Sequence, residues 1–254
     1  MRILITNDDG INAPGLTVLQ DIAGELSSDV WVVAPEIDQS GASHSLTLRE
    51  PLRLRAIGER VFAVRGTPAD CVIMAVRHLL KDDPPLLVLS GVNRGSNLAE
   101  DVTYSGTIAG AFEGALLGVR SIALSLAGGF DRAEKIKWET ALAHGAAVIH
   151  RLLEADWPQG VLMNVNFPDR EPTDVVGIAV TEQGRRDHDL LNIDQRVDTW
   201  GNAYFWLGYE RRWSNPREGT DLWAINTGRI SITPLSLNLT HRATSKALAR
   251  CLGG

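Results

Sequence analysis

Residues 1–9 of this chain have the sequence MRILITNDD, a short apolar run followed at once by two carboxylates. The run at residues 3–5 is unbroken, which is typical of a strand buried on both faces of a parallel sheet. Asp8 and Asp9 come directly after it, and ligands of open α/β sheets bind outside the carboxyl ends of the strands. Since two adjacent negative charges repel unless a cation lies between them, this stretch predicts a site for a divalent metal ion.

Apolar strand-like segments alternate with helix-like segments along most of the chain. This alternation predicts a Rossmann-like, mostly parallel sheet covered by helices on both faces, which is a three-layer α/β/α fold. The predicted strands cover residues 2–7, 30–34, 86–89, 121–126, 161–167 and 231–235. The predicted helices cover residues 14–26, 68–80, 105–117, 132–154 and 242–252, and short antiparallel strands are expected within 45–66. We expect a single domain over residues 1–254.

The segment 183–223 differs in character, because a polar stretch is followed by a concentration of aromatic residues. Four of the seven tryptophans lie there with other aromatic side chains: Trp200, Trp206, Trp213, Trp223, Tyr204, Phe205 and Tyr209. An aromatic hairpin this late in an α/β chain predicts an extension that packs, with the C-terminal helix of residues 242–254, against another subunit. A satellite cluster within the same monomer is the alternative. The charged run 185–189 is interpreted as a solvated loop.

The composition is that of an ordinary globular protein. Of its 254 residues, 44% are hydrophobic and 22% are charged, and the formal net charge is -6. The negative charge argues against a nucleic-acid polymer as partner, and no apolar run approaches the length of a membrane span. The two cysteines, Cys71 and Cys251, match no metal or redox spacing. With no signal-peptide pattern, these features predict a cytoplasmic protein that acts on neither membranes nor nucleic acids.

Polar side chains follow several of the predicted parallel strands, at the point where each strand ends. Asp8 and Asp9 follow the first strand, Ser40 lies in the loop after the second, and Asn93 follows the strand 86–89. Because parallel strands end at the same edge of a sheet, we expect these oxygen donors to converge. Two carboxylates, a hydroxyl and an amide carbonyl suit Mg²⁺, Mn²⁺ or a similar hard ion. Zinc is disfavoured because the chain offers no Cys or His cluster.

A second candidate feature is the start of the helix predicted at Ser105. Ser105 is a suitable N-cap, and Gly106 lets a ligand approach the backbone closely. The N–H groups of a helix start bind anions, and here they belong to Ser105, Gly106 and Thr107. The amide of Asn97 is expected to add to this attraction. A metal ion beside such a helix start indicates a binding place for a phosphate monoester.

Each of these features also has a plainer interpretation. The Asp9-Gly10 pair is typical of a hairpin turn, Ser105 can serve only as a helix cap, and Asn93 between glycines fits ordinary turn chemistry. The functional interpretation therefore depends on the joint placement of the residues and not on any one of them. His44, near the predicted site, is a candidate for a catalytic or substrate-contacting role.

Several blocks of the chain resemble, in the same order, the SurE family of stationary-phase survival proteins. The matching blocks are residues 5–10, 39–41, 66–72, 91–97, 101–107, 219–221 and 231–235. Seven blocks in order make the resemblance specific, and it spans nearly the whole chain. Two residues depart from the family pattern, since Ala99 stands where glycine is usual and Ile108 where valine is usual.

The resemblance implies a metal-dependent 5′/3′-nucleotidase with a single divalent ion. It implies four metal ligands, at positions the strand ends had already indicated: Asp8, Asp9, Ser40 and Asn93. It implies five residues at the substrate: Gly41, Asn97, Ser105, Gly106 and Thr107. The residues with implied catalytic roles are Asp8, Asp9, Asn97 and Ser105. It also implies homodimers or homotetramers formed through the late hairpin and the C-terminal segment.

The expected reaction is hydrolysis of nucleoside monophosphates to nucleoside and phosphate by a metal-activated water. A covalent aspartyl-phosphate is the alternative chemistry, because it needs only one carboxylate free of the metal. Two other classes of function stay open: a receiver-like switch, which also has an acidic pair after its first strand, and a nucleotide-binding module without turnover. The sequence ranks neither the bases nor the 5′ and 3′ positions, and it indicates no general acid.

Overall fold

Strand β1, Ile3–Thr6, lies inside a nine-stranded sheet in the computed structural model, which describes residues 1–128, 135–186, 191–209 and 215–253. All four residues of β1 are buried. Successive side chains of a strand point to opposite faces, so Ile3 and Ile5 join the core on one side of the sheet and Leu4 joins the core on the other. The continuous apolar run is therefore explained by a strand that is covered on both faces.

The main sheet is mostly parallel, as predicted. Its other strands are β2 (Val30–Pro35), β3 (Arg53–Gly58), β4 (Val61–Arg65), β5 (Leu87–Arg94), β6 (Arg120–Leu126), β7 (Val161–Phe167), β8 (Gly177–Val180) and β11 (Arg229–Ser236), while β9 (Leu191–Val197) and β10 (Ala203–Tyr209) form a separate antiparallel pair. The order across the sheet is β3-β4-β2-β1-β5-β6-β7-β11-β8. Neighbours from β4 to β7 are parallel, whereas β3 and β11 run antiparallel to β4 and β7.

Helices cover both faces of the sheet, which confirms the three-layer α/β/α architecture. They are α1 (Pro14–Leu26), α2 (Pro68–Met74), α3 (Gly106–Leu116), α4 (Trp138–Glu154), α5 (Asp221–Asn226) and α6 (Arg242–Leu252). Helices α1 and α4 pack together over one face, and α2 and α3 pack together over the other. Within the described ranges, no helix has both the length and the apolar character needed to cross a membrane.

Strand β5 is longer than the strand predicted at 86–89. After an irregularity in register that follows Ser90, pairing with β6 resumes at Asn93 and continues to Arg94. Asn93 is therefore part of a strand, and the expectation that it lies in a loop beyond the strand was wrong. The cause is the pairing partner, because the backbone groups of residues 93 and 94 find partners on β6.

Two predicted helices also differ in their bounds. The helix predicted over 68–80 is α-helical only to Met74 and continues as a π-helical turn over Ala75–Leu79. The helix predicted over 132–154 is described from Trp138 onward, and residues 132–134 lie outside the described part of the chain.

The late extension contains a hairpin made of β9 and β10. Several of its aromatic side chains are exposed, with exposed fractions of 85% for Trp200, 60% for Phe205 and 58% for Trp206. Trp223 belongs instead to helix α5, and Trp213 lies outside the described residues. Contact of the hairpin with another subunit stays a prediction.

Candidate metal and phosphate site

The candidate site lies at the carboxyl ends of β1, β2 and β5, where the turn after β1 packs against the loop after β2. The backbone N–H of Gln39 donates to the carbonyl oxygen of Asp8 at 2.8 Å. Gly10 has a φ of +99°, and a Cβ added there would lie 3.2 Å from the carbonyl carbon of Ile37. Any other residue at position 10 would be strained and would press on that loop. Backbone contacts thus bring the two loops together, as the parallel topology predicted.

Asp8 is buried between the end of β1 and the first turn of α3. The hydroxyl of Thr107 donates to Asp8 Oδ1 at 2.5 Å. Gly106 makes this close approach possible, since a Cβ at that position would lie 2.7 Å from the Cβ of Asp8. A carboxylate beside a helix N-terminus is favoured by the N–H groups and the helix dipole. These contacts join the acidic pair directly to the predicted anion-binding helix start.

The electrostatics of the acidic pair favour a bound cation. Burial raises the pKa of Asp9 to about 6, and the neighbouring charge of Asp8 adds to the rise. Burial also raises the pKa of Asp8, although hydrogen bonds from the side chain and backbone of Thr107 oppose the rise. The Asp38 carboxylate raises both pKa values further. A divalent cation would relieve the repulsion among these carboxylates, so their environment fits a metal site.

Strand β5 brings Asn93 next to the acidic pair. The backbone N–H of Arg94, the following residue, donates to Asp9 Oδ2 at 3.4 Å. The side-chain Nδ2 of Asn93 donates to the carbonyl oxygen of Gly95 at 2.8 Å. Because Nδ2 is engaged in this bond, the amide oxygen of Asn93 is the end available to a cation.

Ser40 and Gly41 lie on the exposed part of the loop after β2. The backbone N–H of Ser40 donates to Asp38 Oδ1 at 2.7 Å, and Gly41 has a φ of +78°, in the left-handed region that favours glycine. This loop is the one that Gln39 fixes to Asp8. This bond brings the loop close to the acidic pair in space, and Ser40 is the most exposed of the predicted ligands.

The donor set limits the kind of ion that could bind. The described part of the chain contains no group of three or more His, Cys, Asp or Glu side chains that could hold a metal. The predicted ligand set adds the neutral oxygens of Ser40 and Asn93 to Asp8 and Asp9, and their contact with an ion stays a prediction. Such a set of oxygen donors would suit a hard ion such as Mg²⁺ or Mn²⁺ better than zinc.

Residues 105–107, predicted to bind phosphate, lie at the start of α3 as expected. Their hydrogen-bond groups differ, because some already have partners within the protein. The Ser105 hydroxyl accepts from the N–H of Ile108 at 3.0 Å, which makes Ser105 the N-cap. The backbone N–H of Ser105 donates to the carbonyl oxygen of Asp101 at 3.0 Å. Since the side chain and backbone of Thr107 both interact with Asp8, Thr107 is placed to orient that carboxylate. The hydroxyl of Ser105 and the N–H of Gly106 stay candidates for the substrate.

Asn97 is held by a network of buried amides. Its N–H donates to Asn166 Oδ1, its Nδ2 donates to Ser125 Oγ, and Asn164 Nδ2 donates to its carbonyl oxygen, each at 2.8 Å. A buried network with this many hydrogen bonds fixes its members firmly. One hydrogen of the Asn97 amide serves Ser125, and the amide has a second for a ligand.

His44 connects the loop of Ser40 to helix α3. Its Nε2 lies 2.9 Å from Oε2 of Glu113, whose side chain is largely buried. The neighbouring Ser43 hydroxyl donates to the carbonyl oxygen of Thr103 at 2.7 Å. In this arrangement His44 supports the loop, and a catalytic role for it stays a prediction.

The sequence reasoning missed the residues that hold segment 97–105. Arg186, interpreted as part of a solvated loop, has a side chain only 12% exposed, and its guanidinium makes two hydrogen bonds to Asp101 at 3.2 and 2.8 Å. That interpretation was wrong for Arg186, and residues 187–189 of the same run lie outside the described residues. No local signal marks Arg186, because its partner is distant in sequence. Asp221 also holds this segment, because its carboxylate accepts from the N–H of Ala99 at 2.8 Å. Asp221 lies in block 219–221, which resembles the family, so the sequence did offer a signal for it.

Known proteins of one family resemble the chain over its whole length. Residues 3–189 match the family model described as Survival protein SurE. A protein from Methylobacterium nodulans named 5′-nucleotidase SurE is 62% identical over 253 residues, with 100% of both chains covered. A protein of the same name from Parvibaculum lavamentivorans is 58% identical over all of this chain and 91% of its own length. The crystal structure of the SurE protein from Aquifex aeolicus matches with a TM-score of 0.86 and 39% identity over 99% of both chains.

Replacing Gly106 with alanine tests the close contact between α3 and Asp8. Because the added Cβ would lie 2.7 Å from the Cβ of Asp8, we expect the acidic pair to shift. Manganese affinity, measured by isothermal titration calorimetry, should fall by about tenfold or more. The matched control is Gly24→Ala at an exposed position of helix α1, where a Cβ meets nothing within 4 Å. Wild-type manganese affinity in Gly106→Ala would contradict this description of the site.

Proposed function

The chain belongs to the SurE family, and from this membership and its site we propose that it hydrolyses nucleoside 5′-monophosphates to nucleosides and phosphate. The observation that carries the proposal is the contact between Asp8 and the first turn of α3. It puts an acidic pair suited to a cation beside a helix start suited to an anion. The relatives named 5′-nucleotidase SurE support the 5′ position, and nucleoside 3′-monophosphates are a second substrate class to compare.

We assign the metal site to Asp8, Asp9, Ser40 and Asn93, and we propose that it holds one divalent ion. Metal dependence is a general property of the family, while the identity and number of ions are part of this proposal. The two carboxylates would balance the charge of the ion, and the two neutral oxygens would complete the protein's share of its ligands. When bound, such an ion polarises a phosphoryl oxygen and lowers the pKa of water.

The chain's own residues have distinct tasks in this reaction. Asn97, Ser105 and Gly106 bind the phosphate dianion, because the helix start and the amide offer hydrogen-bond donors where negative charge lies. We place Gly41 at the edge of the substrate, on the loop after β2. Thr107 holds Asp8 in a fixed orientation through its hydroxyl.

Water then attacks phosphorus in line, a new phosphorus–oxygen bond forms, and the bond to the nucleoside oxygen breaks. One proton of the water ends on the nucleoside oxygen, which leaves as a hydroxyl group, and the other stays on the phosphate. We favour direct attack over an aspartyl-phosphate at Asp8 because of how Asp8 is held. Its Oδ1 accepts a hydrogen bond from the Thr107 hydroxyl, and its Cβ lies close to the backbone of Gly106. Asp8 is therefore poorly placed to act as a nucleophile.

We further propose that residues 1–254 form one domain whose β9–β10 hairpin and α6 contact other copies of the chain. The exposed aromatic side chains of the hairpin support this proposal, and so does the exposure of α6 along its whole length. Exposed patches rich in aromatic residues are typical of subunit interfaces. The expected assembly is a homodimer or homotetramer.

Release of inorganic phosphate from AMP, GMP and 3′-AMP, with and without EDTA, tests the proposed reaction. We expect release from the 5′-monophosphates that EDTA abolishes and that Mn²⁺ or Mg²⁺ restores, because the acidic pair needs a cation. Activity that resists chelation would contradict the metal proposal. Nucleotide binding without release would favour the binding module, and labelling by acetyl phosphate without hydrolysis would favour the receiver-like switch.

Asp8→Asn and Asp9→Asn each remove one negative charge while nearly preserving the shape of the side chain. We expect each to lower kcat by about two orders of magnitude or more, with a native circular dichroism spectrum. The control is Asp82→Asn, an exposed aspartate outside the site, which should keep wild-type kinetics. Full turnover in either site variant would refute the assignment of the metal ligands.

Trp206→Glu tests the proposed subunit contact. Trp206 is 58% exposed on β10, and a charge there should weaken an apolar interface. Light scattering coupled to gel filtration should show a shift towards monomer, whereas the control Leu48→Glu, at a residue 84% exposed outside the hairpin, should keep the wild-type mass. An unchanged mass for Trp206→Glu would count against the hairpin as an interface.

A further inference from the structure

The segment from Asn97 to Ser105, called here the substrate loop, joins two residues assigned above to the substrate phosphate. Ala99 within it has a φ of +51°, in the left-handed region that alanine rarely adopts. The loop continues as a 3₁₀ turn over Ala99–Thr103 and ends at the N-cap of α3. A strained residue persists only when its surroundings hold it, so this loop needs contacts from outside.

Residues 183–186, which precede the hairpin, supply part of these contacts. The side-chain Nε2 of Gln183 donates to the carbonyl oxygen of Ala99 at 2.9 Å. The buried Asp221 carboxylate accepts from the N–H of Ala99 on one oxygen and from the N–H of Gly184 on the other, both at 2.8 Å. The strained residue is therefore held at both its N–H and its carbonyl oxygen.

Arg186 makes the most extensive contact with the substrate loop. Its guanidinium binds the two carboxylate oxygens of Asp101 at 3.2 and 2.8 Å and also donates to the carbonyl oxygen of Leu98 at 3.1 Å. The side chains of Arg186 and Asp101 are only 12% and 14% exposed. A bidentate pair shielded from water fixes geometry as well as charge. The backbone N–H of Arg186 adds a bond to the carboxylate of Glu100 at 3.2 Å.

Asp101 connects this pair to the start of α3. Its carboxylate accepts from the N–H of Leu98 at 3.3 Å, and its carbonyl oxygen accepts from the N–H of Ser105 at 3.0 Å. Ser105 in turn caps α3 through the N–H of Ile108. Hydrogen bonds therefore connect Arg186, through Asp101, to Ser105, which is proposed to bind the substrate phosphate.

We propose that Arg186 is a positioning residue that fixes the substrate loop through Asp101 and thereby sets the affinity for the substrate phosphate. This inference rests on the function proposed above for the same site. The acidic pair is held by residues outside the substrate loop, namely the hydroxyl of Thr107 and the backbone of Arg94. Loss of Arg186 should therefore weaken phosphate binding while metal affinity is kept.

Kinetic constants of Arg186→Met, Arg186→Lys and Arg185→Met test the proposal. Arg185 is exposed beside Arg186 and gives a control matched in charge and position. For Arg186→Met we expect the KM for AMP and the inhibition constant of inorganic phosphate to rise about tenfold. Its kcat should stay within about threefold of wild type and its manganese activation constant should not change. Arg186→Lys should be intermediate because an ammonium group cannot bind bidentately, and Arg185→Met should match wild type.

The double variant Asp101→Asn with Arg186→Met tests the reason for the effect. In Arg186→Met the Asp101 carboxylate is left buried without its partner, which is costlier than removing both charges. The asparagine keeps an oxygen for the N–H of Leu98. The double variant should therefore recover part of the phosphate affinity that Arg186→Met loses.

Several outcomes would overturn the proposal. One is equal KM and phosphate inhibition in Arg186→Met and Arg185→Met, and another is a parallel loss of kcat, KM and manganese activation, which indicates general damage. If Arg186→Met does not fold, Arg186→Lys must show the raised KM, and wild-type constants there would refute the proposal. If the wild-type protein releases no phosphate, the proposed function itself fails. Deuterium exchange of residues 98–105 then tests the contact alone, and equal exchange in Arg186→Lys and Arg185→Met would refute it.

Discussion

The carboxylate of Asp8 packs against the first turn of α3, and the rest of the site is arranged around this contact. The Thr107 hydroxyl binds Asp8 Oδ1 at 2.5 Å, and the absence of a side chain at Gly106 lets the helix come this close to the strand end. The strand end alone would present two carboxylates that repel each other. Beside the helix start, the same carboxylates would allow a cation and a phosphate to bind as neighbours, as proposed above.

The loops that complete the site are fixed to this centre by bonds from distant parts of the chain. Gln39 ties the loop of Ser40 to the backbone of Asp8, and His44 ties it to Glu113 on α3. The substrate loop is held from the other side by Arg186 and Asp221. Segments far apart in sequence thus determine the shape of the candidate site, and one of them precedes the hairpin in the chain.

The features predicted correctly from the sequence are those that depend on local patterns. The apolar run of β1 identified a buried strand, so Asp8 and Asp9 could be placed at its end, and the Ser105-Gly106 pair indicated the start of α3. Features set by tertiary packing were not accessible. The position of Asn93 within β5 depends on pairing with β6, and Arg186 finds its partner 85 residues earlier in the chain. For the same reason the hydrogen bond from the Thr107 hydroxyl to Asp8 could not be predicted, since it forms only because α3 packs on the end of β1.

In the proposed site, oxygen donors from three strand ends surround one divalent cation. A crystal soaked in Mn²⁺ and measured at a wavelength with anomalous signal tests it most directly. We predict a single strong anomalous peak about 2.1 Å from oxygen atoms of Asp8, Asp9, Ser40 and Asn93. A peak elsewhere, or these four side chains apart with no density between them, would contradict the claim.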